Sequence, residues 1–281
     1  MKYLKLIVLL ISISVYSCKS DKNDTKSTTT DNSTETELSS ERKSDANDTD
    51  LSDGNVIVKP ISHGTLVLEY GNVIIYVDPV GGAEAFKGQK PPTYILVTDI
   101  HGDHLDIKTL EAVSTESTKI IAPHAVADQL PSALNNQTIA LSNAETKAYA
   151  LADIELIIEA IPMYNLREEA LQFHPKKRGN GYVLTLGEER VYISGDTEDI
   201  PEMRRLKDID IAFVCMNLPY TMPVKAAADA VLDFKPKKVY PYHYRGTDGL
   251  SDVELFKSIV NKENELIEVI LVDWYKKSDE V

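Results

Sequence analysis

The chain has 281 residues and a formal net charge of −14 at pH 7, with 44 acidic and 30 basic side chains. Because such an excess of acid repels phosphate, the composition argues against sequence-independent binding to nucleic acid. The two cysteines are Cys18 and Cys215. No intramolecular disulfide is expected, because Cys18 is predicted to carry a lipid and Cys215 lies in a predicted buried strand.

The first residues are typical of a secretory signal peptide. Lys2 and Lys5 form a short positive region, and Leu6–Val15 is an apolar run that is too short to span a bilayer. The segment ends in a small residue followed by Cys18, which resembles a bacterial lipobox. We therefore predict that residues 1–17 are a signal peptide and that a lipid on Cys18 anchors the protein to a membrane of the cell envelope. Ordinary secretion and an uncleaved anchor are the alternatives.

Residues 18–54 are predicted to form a disordered tether. After the cysteine, this segment consists almost entirely of Lys, Asp, Glu, Asn, Ser and Thr. Such a composition cannot bury enough apolar surface to offset the entropy of ordering. Residues 55–281 remain for the folded body, which is also acidic and is long enough for one domain with a substantial core.

The first predicted elements of the body are strands. Thr65–Tyr70 and Val73–Asp78 are β-branched and apolar runs joined by Gly71-Asn72, which is typical of a tight hairpin. The other predicted strands are Tyr94–Thr98, Lys119–Ala122, one or two within Tyr149–Pro162, Tyr182–Leu186, Arg190–Ser194, Ile209–Cys215, Lys238–Tyr242 and Leu266–Val272. The predicted helices are Ile107–Val113, His124–Leu130, Ile200–Leu206, Val224–Phe234 and Asp252–Asn261. Hairpin-rich halves that each end in strand–helix alternation favour an α/β fold with two facing mixed sheets and outer helices.

Four potential metal ligands follow directly on the third of these strands. They are Asp99, His101, Asp103 and His104. A strand end that leads into a glycine-containing loop can turn several side chains toward one point, and imidazole and carboxylate are the ligands expected for zinc, manganese or iron. The alternative is a purely structural loop, with a helix N-cap at Asp106 and histidines satisfied by neighbouring groups.

Further pieces downstream argue against the structural alternative. Asp196 follows the predicted strand Arg190–Ser194, and His243 follows the predicted strand that ends at Tyr242. Asn165 and His174 lie upstream of both. Each residue alone has an ordinary explanation as a turn, a cap or a surface side chain. Together they place polar, metal-binding groups after several strands.

The set of motifs carries a resemblance to a known family. The motifs are Ser62-His63-Gly64-Thr65, Asp78-Pro79, the loop Asp99–His104, Tyr164-Asn165, His174-Pro175-Lys176, Gly179-Asn180-Gly181-Tyr182, Gly195-Asp196-Thr197-Glu198 and Pro241-Tyr242-His243-Tyr244. In this order and at these spacings, the chain resembles the metallo-β-lactamase superfamily, and most closely its single-domain hydrolases related to the ascorbate-6-phosphate lactonases. The resemblance covers roughly Val56–Val272. It implies an αββα sandwich with metal ions at the sheet edges.

The resemblance also implies a division of roles. His101 would help to hold a first ion. Asp103, His104 and His243 would hold a second, and one or two divalent ions, zinc or manganese, are expected. Asp196 would bridge the two. A metal-bound water, with its pKa lowered, would be the nucleophile. Asp103 and Asp196 are thus the predicted catalytic residues, and Asp103 is expected to orient the water.

Two departures from the family pattern affect the first ion. Asp99 stands where the superfamily motif has its first histidine, and Asn165 stands where many members place another histidine ligand. A carboxylate ligand at Asp99 gives a more anionic site, which favours manganese, iron or magnesium somewhat over zinc. His174 is predicted to supply the missing imidazole, and a surface histidine beside a basic run is the alternative.

Three residues are predicted to contact the substrate: His63, Asn165 and Lys176. His63 lies in a turn that opens a hairpin. Lys176 begins the basic run Lys176–Arg178, which could attract a phosphate or carboxylate in an otherwise acidic body. A solvated surface is the alternative for this run. His124 is expected on the surface, at the start of a helix.

The sequence therefore predicts a metal-dependent hydrolase of a small ester, lactone or phosphoester, with no nucleic acid partner. A phospholipase- or phosphodiesterase-type activity is the main rival substrate class, and β-lactamase activity is not expected. The alternative is an envelope lipoprotein of the same fold that binds a metal or ligand with weak or no catalysis. The changes at Asp99 and Asn165 favour that alternative, whereas the other retained ligands favour the enzyme.

Overall fold

Two seven-stranded sheets and a two-stranded ribbon make up the computed structural model, in which residues 51–53, 56–151 and 154–275 are described. The elements of the first half are β1 (Leu51–Asp53), β2 (Val56–Ser62), β3 (Thr65–Tyr70), β4 (Val73–Val77), β5 (Tyr94–Leu96), α1 (Ile107–Val113), β6 (Lys119–Ala122), α2 (His124–Ala127), α3 (Ser132–Asn135) and β7 (Thr138–Ala140). The strands β1–β7 form the first sheet in sequential order. Pairing is antiparallel from β1 to β4 and parallel from β4 to β7.

The second sheet is built by the second half of the chain. Its elements are β8 (Thr146–Leu151), β9 (Ile154–Met163), β10 (Gly179–Leu186), β11 (Glu189–Ile193), α4 (Pro201–Arg204), β12 (Ile211–Cys215), α5 (Val224–Phe234), β13 (Lys238–Tyr242), the ribbon strands β14 (Arg245–Gly246) and β15 (Gly249–Leu250), α6 (Val253–Glu263) and β16 (Glu268–Val269). The sheet runs in the order β16-β13-β12-β11-β10-β9-β8. Pairing is antiparallel from β8 to β11 and parallel from β11 through β12 and β13 to β16.

Alternating side chains hold the layers together. In β3, Leu66 and Leu68 belong to the core between the two sheets, whereas Val67 joins a second core under the helices α1 to α3. Successive residues of a strand point to opposite faces, so a strand that is apolar on both faces must be covered on both. On the outer face of the second sheet, Phe234 of α5 packs edge-on against Tyr192 of β11. The predicted αββα sandwich is confirmed.

The closing strand is much shorter than expected. The sequence predicts a strand over Leu266–Val272, but only Glu268–Val269 pairs with β13. The ladder stops because the next donor on β13 is Pro241, which has no N–H. The carbonyl of Pro241 instead accepts a hydrogen bond from the indole N–H of Trp274 at 2.8 Å.

The predicted leader lies almost wholly outside the described residues. The signal peptide at residues 1–17 and Cys18 fall there, as does the predicted tether up to residue 50. Its later residues Leu51–Asp53 form β1 and pair with Val56–Val58, so regular pairing begins before the predicted boundary at residue 54. Among the described residues, no helix is long and apolar enough to cross a membrane.

The remaining cysteine is placed as the sequence predicts. Cys215 is buried in β12 as a free thiol. Burial raises the pKa of this thiol to about 12, so it stays protonated at neutral pH. It is not an activated nucleophile.

Helix α1 begins at Ile107, and Asp106 is its N-cap. One carboxylate oxygen accepts hydrogen bonds from the backbone N–H groups of Lys108 and Thr109 at 3.1 and 3.3 Å, and the Thr109 hydroxyl donates to the other oxygen at 2.6 Å. The hydrogen bond from Thr109 is the main reason that the pKa of Asp106 lies below its usual value. The cap fixes the helix start two residues beyond the metal-ligand loop.

Replacing this cap tests its contribution to stability. Asp106→Ala is expected to lower the free energy of unfolding by about 1 kcal/mol, because two helix N–H groups lose their acceptor. Chemical denaturation of the metal-free protein measures the change. Glu111→Ala removes an exposed carboxylate from the same helix without touching the cap, and it should change stability by less than about 0.5 kcal/mol. Equal losses in both variants would contradict the capping role.

Candidate metal centre

The chemistry-bearing side chains collect where the central strands of both sheets end. Asp78 follows β4, and the loop Asp99–His104 begins shortly after β5. In the second sheet, Asp196 follows β11 and His243 follows β13. The carboxyl ends of neighbouring parallel strands meet at one edge of a sheet, which brings residues that are far apart in sequence into one crevice.

A buried acid holds His104 in position. The Asp78 carboxylate accepts hydrogen bonds from the Thr98 backbone N–H at 2.7 Å and the Thr98 hydroxyl at 2.6 Å. His104 Nδ1 lies 2.8 Å from the same carboxylate. This contact leaves His104 Nε2 facing Asp196, 3.4 Å from its Oδ2. Carboxylates commonly orient metal-binding imidazoles in this way.

Three further predicted ligands, Asp103, Asp196 and His243, lie close to His104. His243 Nε2 lies 3.5 Å from Asp196 Oδ1 and 3.3 Å from Asp103 Oδ2. The ligand atoms of His104, Asp196 and His243 all lie within 4.8 Å of one another. His104, Asp196 and His243 are buried, and the side chain of Asp103 is 44% exposed and reaches into the cavity above them. The predicted second site is therefore brought together.

The electrostatics of this group match a bound cation. Burial alone would raise the pKa of Asp196, but the neighbouring His243 and His104 hold it well below its usual range. Burial would likewise lower the pKa of His104, and the carboxylates of Asp196 and Asp78 outweigh it and raise that pKa. Partial burial opposes ionisation of Asp103, but the neighbouring imidazoles of His243 and His63 lower its pKa. Asp103 and Asp196 are thus ionised, which is the state in which a carboxylate binds a metal ion.

The donor atoms themselves show that an ion fits. His104 Nε2, His243 Nε2 and Asp196 Oδ1 are each buried without a hydrogen-bond partner. An unsatisfied buried polar atom is costly, and its presence requires an explanation. Two imidazole nitrogens and two carboxylates are a suitable ligand set for a divalent transition metal. Asp103, His104, Asp196 and His243 therefore fit one ion.

A second group adjoins the first through Asp196. The ligand atoms of Asp99, His101 and His174 lie within 4.8 Å of one another. His174 is buried, with Nδ1 3.1 Å from the Tyr220 carbonyl and Nε2 3.2 Å from Asp196 Oδ2. His174 is thus beside the centre rather than on the surface.

Asp99 has a partner that the sequence did not suggest. Arg178 donates from Nε to Asp99 Oδ1 at 3.0 Å and from Nη2 to Oδ2 at 2.8 Å. His101 Nδ1 lies 2.7 Å from the same Oδ2. Burial would raise the pKa of Asp99, but the hydrogen bonds with His101 and Arg178 lower it. The carboxylate at the position of the motif's first histidine is therefore paired with a guanidinium, a feature that the group formed by Asp103, His104, Asp196 and His243 does not share.

His63 joins the centre from the turn between β2 and β3. Its Nε2 lies 3.3 Å from Asp103 Oδ2, its Nδ1 lies 2.8 Å from the Tyr275 hydroxyl, and its ring lies 3.9 Å from that of His243. Burial lowers the pKa of His63. Gly64 permits this closeness, because a Cβ there would lie 2.7 Å from a ring carbon of His243.

Two other predicted contact residues lie elsewhere. Asn165 is buried, and its amide nitrogen donates to the carbonyls of Ala170 and Tyr220 at 2.9 and 2.6 Å. The Lys176 ammonium lies 4.5 Å from the centre of the Tyr164 ring, beside a separate cavity that the exposed His124 also lines. Neither Asn165 nor Lys176 lines the cavity above the metal ligands.

That cavity has a volume of about 360 Å³ and contains residues that the sequence did not single out. Phe173 and Tyr220 form an edge-to-face pair in its wall. Arg245 lies at its mouth, with the guanidinium 4.1 Å from the centre of the Tyr275 ring. Arg245 directly follows His243-Tyr244, and that position was the one available signal in the sequence.

Comparison with known proteins agrees with this geometry. A family model described as a beta-lactamase superfamily domain matches residues 75–244. The UPF0173 metal-dependent hydrolase of Pyrobaculum islandicum is 31% identical over 216 residues, which cover 72% of this chain and 91% of that protein. The UPF0173 metal-dependent hydrolase of Pyrococcus horikoshii is 28% identical over 224 residues, covering 75% and 95%.

Solved structures share the architecture. A protein of Parabacteroides distasonis assigned as a metal-dependent hydrolase is 40% identical and covers 77% of this chain and 92% of its own, with a TM-score of 0.67. Igni18, a metallo hydrolase of Ignicoccus hospitalis, shares the fold at 20% identity, with a TM-score of 0.63 and coverage of 77% and 94%. The chain therefore belongs to the metallo-β-lactamase superfamily, within the family of UPF0173 metal-dependent hydrolases.

Proposed function

We propose that this protein hydrolyses a small ester, lactone or phosphoester with a water activated at the centre formed by Asp103, His104, Asp196 and His243. The observation that carries the proposal is the convergence of unpartnered His104 Nε2, His243 Nε2 and Asp196 Oδ1 beside an open cavity that Asp103 and Asp196 line. Buried donor atoms of this kind at the floor of a cleft are arranged for an ion and a substrate, not for packing. Zinc and manganese both suit two nitrogen and two oxygen donors.

Each residue has a distinct part in this reaction. A divalent ion held here would lower the pKa of a bound water and polarise the scissile group. Asp103 is the ligand whose carboxylate is most open to the cavity, so it orients the attacking water and accepts its hydrogen bond. Asp78 keeps the imidazole of His104 turned toward the centre, and His63 Nε2 contacts the Asp103 carboxylate.

The cavity limits the substrate. Its volume of about 360 Å³ suits a small molecule. Among the described residues, no carboxylate pairs with the Arg245 guanidinium at the mouth, which favours a substrate that carries a negative group. A phosphodiester or a lactone with a charged substituent meets both conditions. We propose the lactone on the motif resemblance of the sequence alone, whereas the family comparison supports hydrolysis in general.

Metal content and turnover on one sample test the proposed activity. His243→Ala is expected to reduce metal below one ion per chain and to slow hydrolysis by at least about 100-fold, since even partners of metal ligands cost 10- to 100-fold when lost. Elemental analysis and a panel of lactone, ester and phosphodiester substrates measure both. His124→Ala, at an exposed histidine outside the centre, should change neither. A metal-loaded wild type that hydrolyses none of the panel would favour the catalytically weak binding protein.

The role of Arg245 is tested by substrate charge. Arg245→Met keeps an unbranched side chain but removes the cation, and it is expected to raise KM about 10-fold for an anionic substrate while leaving kcat nearly unchanged. Hydrogen bonds to charged groups contribute roughly 1.5–3 kcal/mol, which exceeds the 1.4 kcal/mol of a tenfold change. A neutral substrate of the same size should show no such rise. Equal effects on both substrates would exclude charge recognition.

We also propose that the protein is an envelope lipoprotein anchored through Cys18. The support is the charge and hydropathy pattern of residues 1–17 and the cysteine that follows them. A fatty-acid label is expected to enter the wild type and not Cys18→Ser, and the wild type alone should fractionate with membranes. Cys215→Ser is the matched control, because it removes the other cysteine of the chain. Labelling of Cys18→Ser would contradict the anchor.

A further inference from the structure

The Asp99–Arg178 pair is built as a permanent feature. The guanidinium donates two hydrogen bonds, of 3.0 and 2.8 Å, to the two oxygens of the carboxylate, and such bidentate pairing is strong and specific. The Asp99 side chain is fully buried, and the Arg178 side chain is 17% exposed. Arg178 Nη2 also donates to the carbonyl of Phe173. Because it donates to both Asp99 and Phe173, the Arg178 side chain is fixed in this position.

A glycine in the backbone beside the Asp99–Arg178 pair allows the two segments to approach closely. Gly179 follows Arg178 and opens β10. A Cβ at this glycine would lie 2.9 Å from the Thr98 carbonyl oxygen and 3.3 Å from Asp99 Oδ1. The absence of a side chain at Gly179 therefore lets the start of β10 approach Asp99 closely and delivers Arg178 to it.

The guanidinium lies within the second group of potential ligands. Arg178 Nη2 is 2.8 Å from Asp99 Oδ2 and 3.5 Å from His101 Nε2. A divalent ion bound by Asp99 and His101 would therefore lie beside a fixed positive charge. Repulsion between like charges at this range, in a buried setting, weakens the binding of such an ion strongly.

The remaining imidazole of this group has another neighbour. His174 Nε2 is 3.9 Å from Asp99 Oδ2 but 3.2 Å from Asp196 Oδ2. Asp196 belongs to the ligand set that fits an ion. His174 Nε2, which like His104 Nε2 is buried without a hydrogen-bond partner, therefore lies closer to a ligand of that ion than to Asp99.

We propose that the protein holds one divalent ion per chain and that Arg178 supplies, beside Asp99, the positive charge that a second ion would bring. This inference rests on the proposed metal centre and adds its stoichiometry. Asp103, His104, Asp196 and His243 bind the ion, and Arg178 neutralises Asp99. An acid, Asp99, stands at the position of the motif's first histidine, and Arg178 follows 79 residues later. The two residues act together as one ion pair.

Counting ions tests the proposal directly. Full-length protein is loaded with a fourfold excess of Mn²⁺, desalted and analysed for metal, and its electron paramagnetic resonance spectrum is recorded. The wild type is expected to retain about one ion per chain with the spectrum of an isolated Mn²⁺. Two ions per chain, or the spectrum of a coupled pair, overturns the proposal. No retained ion overturns the proposed metal centre itself, so the two failures are distinct.

Variants test whether Arg178 is the cause. The double variant Asp99→His with Arg178→Met replaces the ion pair by a neutral metal ligand and a neutral side chain, and it is expected to retain about two ions. Lys177→Met removes the adjacent, exposed cation and should retain one. One ion in the double variant, with its fold intact by circular dichroism, overturns the assigned role of Arg178. If the double variant does not fold, Arg178→Lys, which keeps the charge, must still retain one ion, and two would overturn the proposal.

Discussion

The buried contact between Asp78 and His104 is the interaction on which the centre depends. It ties the end of β4 to the loop after β5 through Thr98, whose backbone and hydroxyl both donate to the Asp78 carboxylate. An acid without solvent must be satisfied by such donors. The result is a rigid first sheet edge from which one imidazole points at a carboxylate of the second sheet. That carboxylate belongs to Asp196, which His243 and His174 also approach.

Much of the centre could be predicted because its residues follow strands. The hairpin Thr65–Tyr70 and Val73–Val77 is formed as expected, and the loop that follows Tyr94–Leu96 carries the expected ligands. A strand end is recognisable in sequence from an apolar run that stops, and parallel strands bring their ends together without further information. Their positions after strands made Asp196 and His243 candidates, and the family resemblance gave them their predicted roles.

The parts that could not be predicted depend on single long-range contacts. Arg178 reaches Asp99 across 79 residues, within a basic run that has the composition of ordinary surface. Its neighbour Lys176 shares that composition but lies beside another cavity. No local feature of the sequence distinguishes Arg178 from Lys176. The early stop of the last strand was likewise decided by its partner, since the missing N–H belongs to Pro241 and not to the strand itself.

The contact between His63 and Tyr275 gives the centre a place in the order of folding. The two side chains are 212 residues apart, and the backbone adds bonds from His63 N–H to the Trp274 carbonyl and from His243 N–H to the His63 carbonyl. Closing so long a loop costs more conformational entropy than closing a short one. During synthesis the ligand loop after β5 is made long before Trp274 and Tyr275. The contacts between His63 and these two residues can therefore complete the centre only once the end of the described body has been made.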